Sequence, residues 1–150
     1  MDGNGQIVVF TLDGFRYGLG LSSVGRIVHV VEIVPLPKSP EIVLGAINFK
    51  GEIIPVINVR KRFRLPEREL ELSDQLLIAG TARRKLALLV DAVVGVMDCG
   101  GVKVIEADAI VPGLEYVEGV VKLDDGLILI HNLATFLSLD EENALTKAMT

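Results

Sequence analysis

Short apolar segments alternate with polar turns along most of the chain. The first two segments, residues 7–12 and 15–21, flank the dipeptide Asp13-Gly14. Asp-Gly between apolar runs is a strong short-range hairpin signal, because glycine adopts a positive φ without steric cost. The pattern therefore predicts that the chain begins with a β-hairpin.

A second pair of apolar segments, residues 46–49 and 53–59, flanks Lys50-Gly51 near the middle of the chain. Both segments are rich in β-branched residues, which pack well on a pleated sheet. Pro55 has no N–H to donate to a strand ladder, so its strand is expected to lie at a sheet edge or to contain a bulge. The pattern predicts a hairpin with one cation at its tip, beside Asn48. An ordinary structural hairpin and a binding hairpin fit these residues equally well.

The remaining elements follow from the same pattern. Residues 24–34 begin with helical spacing but continue as Val-Val-Glu-Ile-Val, which favours a strand. Asp124-Asp125-Gly126 predicts a hairpin turn rather than a pair of catalytic carboxylates. Residues from Glu141 onward are expected to be loosely held. Short helices are predicted at 41–44 and 133–139, and further strands at 75–79, 86–90, 93–97, 116–123 and 127–130.

Many short strands with turn residues between them favour small β-barrels over a parallel sheet. The regular alternation lapses at residues 60–72, where charge concentrates, and strand-rich segments lie on both sides. We therefore predict an all-β fold in a single domain over residues 1–150. Its approximate lobes are residues 15–65 and 75–139, with the first strand completing the second barrel.

Composition narrows the class of protein. Half of the 150 residues are hydrophobic and only 5% are aromatic, which indicates a large core and apolar surface kept for partners. The net charge of −5 argues against nonspecific binding to nucleic acid. A single cysteine, Cys99, fits a reducing compartment, and residues 126–139 are too short to cross a bilayer. The chain does not start like a signal peptide, so we expect a cytoplasmic protein without membrane insertion.

The residues that usually carry catalysis are sparse. His29, His131 and Cys99 are far apart in sequence and form no metal-ligand spacing. His131 and Cys99 are interpreted as packing residues. The basic run 60–64 has no aromatic stacking platform, and is interpreted as a solvated strand end with Phe63 facing inward. We therefore expect no catalytic residue, no metal and no cofactor.

Several segments, in register, resemble the family of the chemotaxis coupling protein CheW. The central match is Leu36-Pro37, then residues 45–51 (Gly-Ala-Ile-Asn-Phe-Lys-Gly) and 54–57 (Ile-Pro-Val-Ile). Further matches are residues 10–12 with 17–19, 24–27, 89–93 and 116–120, so the resemblance covers nearly the whole chain.

The resemblance implies two SH3-like five-stranded β-barrels with short helices, one of them near the C-terminus, and no catalysis. It also implies two partners, the regulatory domain of the histidine kinase CheA and the cytoplasmic tip of methyl-accepting chemotaxis receptors. The kinase domain would pair barrel to barrel, and receptor tips would bind near the lobe junction. On this basis the expected partner-binding residues are Val24, Arg26, Ile27, Gly45, Ile47, Asn48, Lys50, Gly51, Val90 and Asp91.

Two positions depart from the family pattern. Lys50 stands where the family usually has arginine, and lysine keeps the charge but lacks the planar fork that binds a carboxylate bidentately. His131-Asn132 stands where an acidic residue is common. Two alternatives therefore stay open. One is a coupling protein of a non-flagellar signalling pathway, and the other is a small-molecule-binding regulatory β-domain with its pocket between the lobes.

Overall fold

The computed structural model describes residues 5–99, 104–106 and 117–150. Tyr116, predicted as the first residue of a strand, lies outside these ranges. The α-helices are α1 (Val59–Arg62) and α2 (Leu139–Ala148). The strands, in chain order, are β1 (Gln6–Leu12), β2 (Phe15–Gly20), β3 (Val24–His29), β4 (Val43–Phe49), β5 (Glu52–Ile57), β6 (Gln75–Gly80), β7 (Lys85–Val90), β8 (Ala92–Asp98), β9 (Val104–Glu106), β10 (Val117–Leu123) and β11 (Gly126–His131).

The strands form two sheets. The first has the order β8-β1-β2-β11-β10-β9, and the second has the order β3-β6-β7-β5-β4. All neighbours are antiparallel except β2 with β11 and β5 with β7. An isolated bridge between Val34 and Ala46 joins the chain after β3 to β4, which brings the two ends of the second sheet together. The predicted all-β fold with two barrel-like units and short helices is confirmed.

The buried apolar side chains of the described residues form three clusters. Two clusters lie in the interiors of the two barrel-like sheets, and the third, the central cluster, lies between the sheets. Strand β1 supplies two of them, because Ile7 and Val9 face the first sheet's interior whereas Val8 and Phe10 face the central cluster. Strands β6 and β7 divide their side chains in the same way between the central cluster and the interior of the second sheet. Strands buried on both faces read as continuous apolar runs, which accounts for the hydrophobic composition.

The hairpin turns are confirmed. Asp13 and Gly14 both have positive φ, 53° and 81°, and Lys50 and Gly51 follow with 52° and 86°. Two positive φ values in succession give the turn whose twist matches that of paired strands. The turn before β11 also holds an exposed ion pair, Arg16 Nη2 to Asp125 Oδ1 at 3.1 Å.

Several local predictions are wrong. Residues 41–44 do not form a helix: a turn closes with the Val43 N–H donating to the Pro40 carbonyl, and β4 begins there. Within 24–34, the part with helical spacing forms the strand Val24–His29, whereas residues 30–33, which were expected to favour a strand, lie outside the strands. A helical turn instead precedes this segment, at Leu21–Ser23. The segment predicted at 133–139 splits into a 3-10 turn, Leu133–Thr135, and the start of α2. The C-terminal residues are helical rather than loosely held.

Pro55 does not lie on an edge strand, because β5 pairs with β4 and with β7. The parallel pairing with β7 covers only Val56 and Ile57, so Pro55 precedes that ladder and needs no N–H on that side. The ladder between β4 and β5 shifts register opposite Val56 and Ile57, where β4 has an extra residue between Val43 and Gly45. Proline is tolerated here because it stands where the second ladder has not begun.

The sheets divide the chain differently from the lobes expected at 15–65 and 75–139. Strand β2 pairs with β1 and β11 in the first sheet, whereas β6 and β7 pair with β3 and β5 in the second. Each half of the chain therefore contributes a hairpin to the sheet formed mainly by the other half. Turn residues predict which strands are local neighbours, but long-range pairing depends on packing, which the local pattern does not encode.

Candidate functional site

The tip of the β4–β5 hairpin projects a fixed cation into solvent. Lys50 and Gly51 form the turn, and both are exposed. The side chain of Asn48 holds the turn, since its Oδ1 accepts a hydrogen bond of 2.9 Å from the Gly51 N–H. The Asn48 side chain therefore supplements the strand ladder, which reaches the turn with the pair Phe49 and Glu52.

Strand β3 brings a second cation to this tip. The Arg26 Cζ lies 5.6 Å from the centroid of the Phe49 ring, and the Lys50 Nζ lies 5.4 Å from the same centroid. Both distances are within the range of a cation–π contact. The Phe49 ring therefore has two positive groups around it, one from each end of the second sheet.

A cleft of about 550 Å³ lies beside the Phe49 ring. Its apolar lining includes Val24, Ile54 and Ile78. Lys85 and Glu52 stand on the lining and form an ion pair of 2.9 Å with each other. We call this space the β3–hairpin cleft. Its full lining is Ser22, Ser23, Val24, Gly25, Arg26, Phe49, Lys50, Glu52, Ile54, Ile78, Ala79, Gly80, Thr81 and Lys85.

Large apolar side chains are exposed on the strands that border the cleft. Ile27 of β3 is 42% exposed and Ile53 of β5 is 51% exposed. Val34, at the bridge to β4, is also exposed. None of these three side chains lines the cleft itself. Exposed apolar groups on the strands beside a cleft are typical of a protein-binding surface.

Eight of the ten expected partner-binding residues lie on β3 or the β4–β5 hairpin. Val24, Arg26 and Lys50 line the β3–hairpin cleft together. Ile47 is only 1% exposed and belongs to the interior of the second sheet, so it supports the cleft from beneath. Gly45 is also buried, against the backbone of Val34. The partner-binding role of these residues stays a prediction, and the structure adds which of their side chains are accessible.

Val90 and Asp91 lie elsewhere. Val90 is 1% exposed in the central cluster. Asp91 follows β7, and both its carboxylate oxygens accept bonds of 2.9 Å from Arg60 Nη2. The Asp13 N–H donates to Asp91 Oδ2, also at 2.9 Å. The Asp91 carboxylate is therefore occupied by residues of its own chain.

Asp91 belongs to a network of five charged side chains where the two sheets meet. Arg60 also pairs with Asp13 at 2.7 Å, and Arg68 Nη2 donates to Asp91 at 2.7 Å and to Asp74 at 2.6 Å. Burial alone would raise the pKa of Asp91, but the Asp13 N–H, the Arg60 hydrogen bond and the two guanidinium charges together lower it. We call this group the inter-sheet ion cluster.

The sequence did not indicate the inter-sheet ion cluster or the part that Phe49 takes in the cleft. Arg60 belongs to the basic run that was interpreted as a solvated strand end. In the structure it lies in α1, is one of the buried residues of that helix, and is only 8% exposed. Phe63, from the same run, faces inward as predicted and stacks on His131, with 4.1 Å between the ring centroids. A charged run does not reveal which member is buried, because that depends on long-range acidic partners.

Of the candidate residues outside the cleft, His131 and Cys99 are packed in the interior, whereas His29 is exposed. His131 is buried in an aromatic cluster with Tyr17, Phe63 and Phe136. Cys99 is also buried, and this burial, with Asp98 nearby, raises the pKa of its thiol. Among residues 5–99, 104–106 and 117–150, no group of three or more His, Cys, Asp or Glu residues could hold a metal ion. No helix in that part of the chain is both long and apolar enough to span a bilayer.

Comparison with known proteins agrees with this architecture. A family model described as a CheW-like domain matches residues 6–141. The chemotaxis protein CheW of Treponema pallidum is 32% identical over 142 residues, covering 91% of this chain and 84% of that protein. The corresponding protein of Klebsiella aerogenes is 22% identical over 138 residues, covering 91% and 83%.

A solved structure shows the same fold. The crystal structure of the scaffolding protein TtCheW from Thermoanaerobacter tengcongensis superimposes with a TM-score of 0.81 at 32% sequence identity. The similarity covers 92% of this chain and 95% of that one. With a family match across nearly all of its length, this chain belongs to the CheW-like domain family.

Proposed function

We propose that this protein is a non-catalytic, cytoplasmic adaptor that couples methyl-accepting chemotaxis receptors to the histidine kinase CheA. The observation that carries the proposal is the match to the CheW-like domain over residues 6–141. The proposal is supported by two relatives named as chemotaxis proteins, whose similarity covers 91% of this chain. An adaptor of this kind needs two protein-binding surfaces and no reaction centre.

The β3–hairpin cleft supports the kinase-binding half of the proposal. The strands beside it carry exposed Ile27 and Ile53, and its own lining includes apolar residues. The regulatory domain of the kinase, which the family resemblance gives the same barrel fold, would bury these residues barrel to barrel. Apolar anchors surrounded by charged groups usually dominate the energy of such an interface.

A second apolar surface supports the receptor-binding half. Val94 and Val96, on edge strand β8, are 65% and 58% exposed. The Val93 N–H donates to Gln75 Oε1 at 2.7 Å, which holds β8 near β6, where the two sheets meet. The amphipathic helices of a receptor tip would cover these valines, because an exposed apolar edge strand is a favoured docking site.

The experiment measures both interactions on one purified protein. Isothermal titration with the CheA regulatory domain and with a soluble receptor-tip fragment should give two independent affinities. Lys50→Glu should weaken kinase binding by about tenfold or more, because charge reversal at an interface costs several kcal/mol. The melting temperature should change little, since Lys50 is exposed and keeps its backbone conformation.

Lys122→Glu is the matched control, because Lys122 is exposed on β10 in the other sheet. It should leave kinase binding unchanged. Absence of binding to both the kinase domain and the receptor tip by the wild-type protein would refute the proposed function. If Lys50→Glu bound the kinase domain as tightly as the wild-type protein does, the hairpin tip would not be part of the kinase interface.

A further inference from the structure

We propose that the β3–hairpin cleft binds an acidic segment of a protein partner, in which a carboxylate side chain lies next to an aliphatic one. The inference rests on the proposed function, since it specifies the chemistry of the partner at the same site.

The cleft concentrates positive charge on an acidic protein. The chain carries a net charge of −5, yet the lining holds Arg26, Lys50 and Lys85 against a single acid, Glu52. Glu52 is paired with Lys85 at 2.9 Å, so the two cancel. The lining therefore keeps two positive charges, from Arg26 and Lys50.

Neither of these cations is neutralised within the described part of the chain. Arg26 and Lys50 form no ion pair with any residue there, and both instead stand against the ring of Phe49. Two like charges beside one ring create a local positive potential, which a carboxylate of a partner at the cleft would lower. Charge-assisted hydrogen bonds from a guanidinium and an ammonium would then fix that carboxylate.

The rest of the cleft favours a protein segment over a free anion or a polyanion. Val24, Ile54 and Ile78 give an apolar lining, which an aliphatic side chain would cover and an inorganic anion would not. A nucleic acid or an anionic membrane would bring many negative charges against a chain of net charge −5. A short acidic segment contributes one or two charges at the cations and leaves the remainder of the surface uncontacted.

The test uses a probe that does not require the kinase. The ¹⁵N-labelled full chain is titrated with the peptide Ac-Leu-Glu-Val-Glu-Leu-NH₂ and with its isosteric control Ac-Leu-Gln-Val-Gln-Leu-NH₂. The acidic peptide should shift the amide resonances of Arg26, Phe49 and Lys50. The Gln peptide should bind about tenfold more weakly or worse, since one charge-assisted contact accounts for a factor of that order.

Two double variants with equal charge change locate the effect. Arg26→Ser with Lys50→Ser should abolish the shifts, whereas Lys38→Ser with Lys122→Ser, at exposed cations outside the cleft, should preserve them. Circular dichroism on each variant separates lost binding from lost folding. If the cleft double variant unfolds, the single variant Arg26→Gln replaces it, with weaker binding expected.

Each other outcome overturns the inference. Equal affinity for the two peptides would show that charge does not select the occupant, and shifts confined to another surface would place the acidic contact elsewhere. Inorganic phosphate or a short oligonucleotide shifting the same resonances more strongly than the peptide would indicate a general anion site. Because no kinase is present, the peptide result stands whether or not the proposed adaptor function fails.

Discussion

At the scale of single residues, Lys50 occupies a backbone conformation that asparagine adopts more readily. Its φ of 52° precedes a glycine with φ of 86°, the combination for which hairpins prefer Asn-Gly. A left-handed conformation costs most residues about 1 kcal/mol, and asparagine less. We expect Lys50→Asn to raise the free energy of unfolding by about 0.5 kcal/mol and to weaken binding of the kinase domain. Urea denaturation and titration measure the two effects, and a loss of stability would contradict this account of the turn.

Gly45 lies directly against the backbone of Val34. A Cβ added there would lie 2.4 Å from the Val34 carbonyl oxygen, at a φ of 158°. Gly45→Ala should therefore lower the free energy of unfolding by about 1 to 3 kcal/mol, because the Val34–Ala46 bridge must shift. Gly80→Ala is the control, since a Cβ there meets nothing within 4 Å and should cost less than about 1 kcal/mol. Equal losses for the two variants in urea denaturation would rule out the steric cause.

At the scale of elements, α2 is held by its first turn. The Ser138 side chain accepts from the Glu141 N–H, and Glu141 accepts from the Ser138 N–H, which is a capping box. Glu141 also receives two bonds of 2.6 and 2.7 Å from Arg62 Nη2, which anchors α2 to α1. Leu145, one turn later, is fully buried in the central cluster. Arg84 also pairs with Glu142 at 2.9 Å. The C-terminal residues are therefore ordered by a cap, by ion pairs to Arg62 and Arg84, and by the apolar anchor Leu145.

Glu141 makes this docking sensitive to acid. Burial alone would raise the pKa of Glu141, but Ser138 and Arg62 together lower it. Its stabilising effect is complete above the ordinary carboxyl pKa and is lost as the pH falls through the lower, folded-state pKa. Glu141→Gln should thus lower the melting temperature at pH 7, and the difference from wild type should shrink below about pH 4. Glu52→Gln, at a half-exposed ion pair, should show little effect at either pH. A pH-independent difference would exclude the ionic contribution.

At the scale of the whole molecule, the inter-sheet ion cluster connects four separate parts of the chain. Arg60 comes from α1, Asp13 from the first hairpin, and Asp91 from the junction between β7 and β8. Arg68 and Asp74 attach the irregular segment before β6. Arg60 and Asp74 are buried, whereas the other members are partly exposed. Removing one ion of such a group leaves its partners uncompensated. The cluster therefore contributes to joining the two sheets, in addition to the apolar core that they share.

Asp91→Asn should lower the free energy of unfolding by about 2 to 3 kcal/mol at neutral pH. Because the folded-state pKa of Asp91 is lowered, its contribution is complete above about pH 4 and is lost as the pH falls further. Asp125→Asn, at an ion pair where the acid is 76% exposed, should cost at most about 1 kcal/mol. Urea denaturation at pH 7 and pH 3.5 compares the variants. A loss for Asp91→Asn no larger than that of the control would show that the cluster does not stabilise the fold.

The sequence determined the local hairpins of this protein. Asp13-Gly14 and Lys50-Gly51 were identified as turns because their residues accept positive φ, a requirement met within the turn itself. Asp124-Asp125-Gly126 was identified because aspartate and glycine favour turns, although of these three only Gly126 has a positive φ. The all-β class followed from β-branched runs between such turns. The hairpin tip with its cation was also visible, and so was the inward position of Phe63, because these depend on neighbours in sequence.

The tertiary structure decided which strands share a sheet and which charges are buried. Strands β1, β6 and β7 are apolar on both faces, so their sequences carry no alternation that would specify a partner or a register. Arg60 and Asp91 are 31 residues apart, and their pairing is created only when the sheets meet. Arg26 likewise reaches Phe49 only because the second sheet curls upon itself. Local propensity acts over a few residues, whereas burial and charge pairing are set by contacts that only the complete fold supplies.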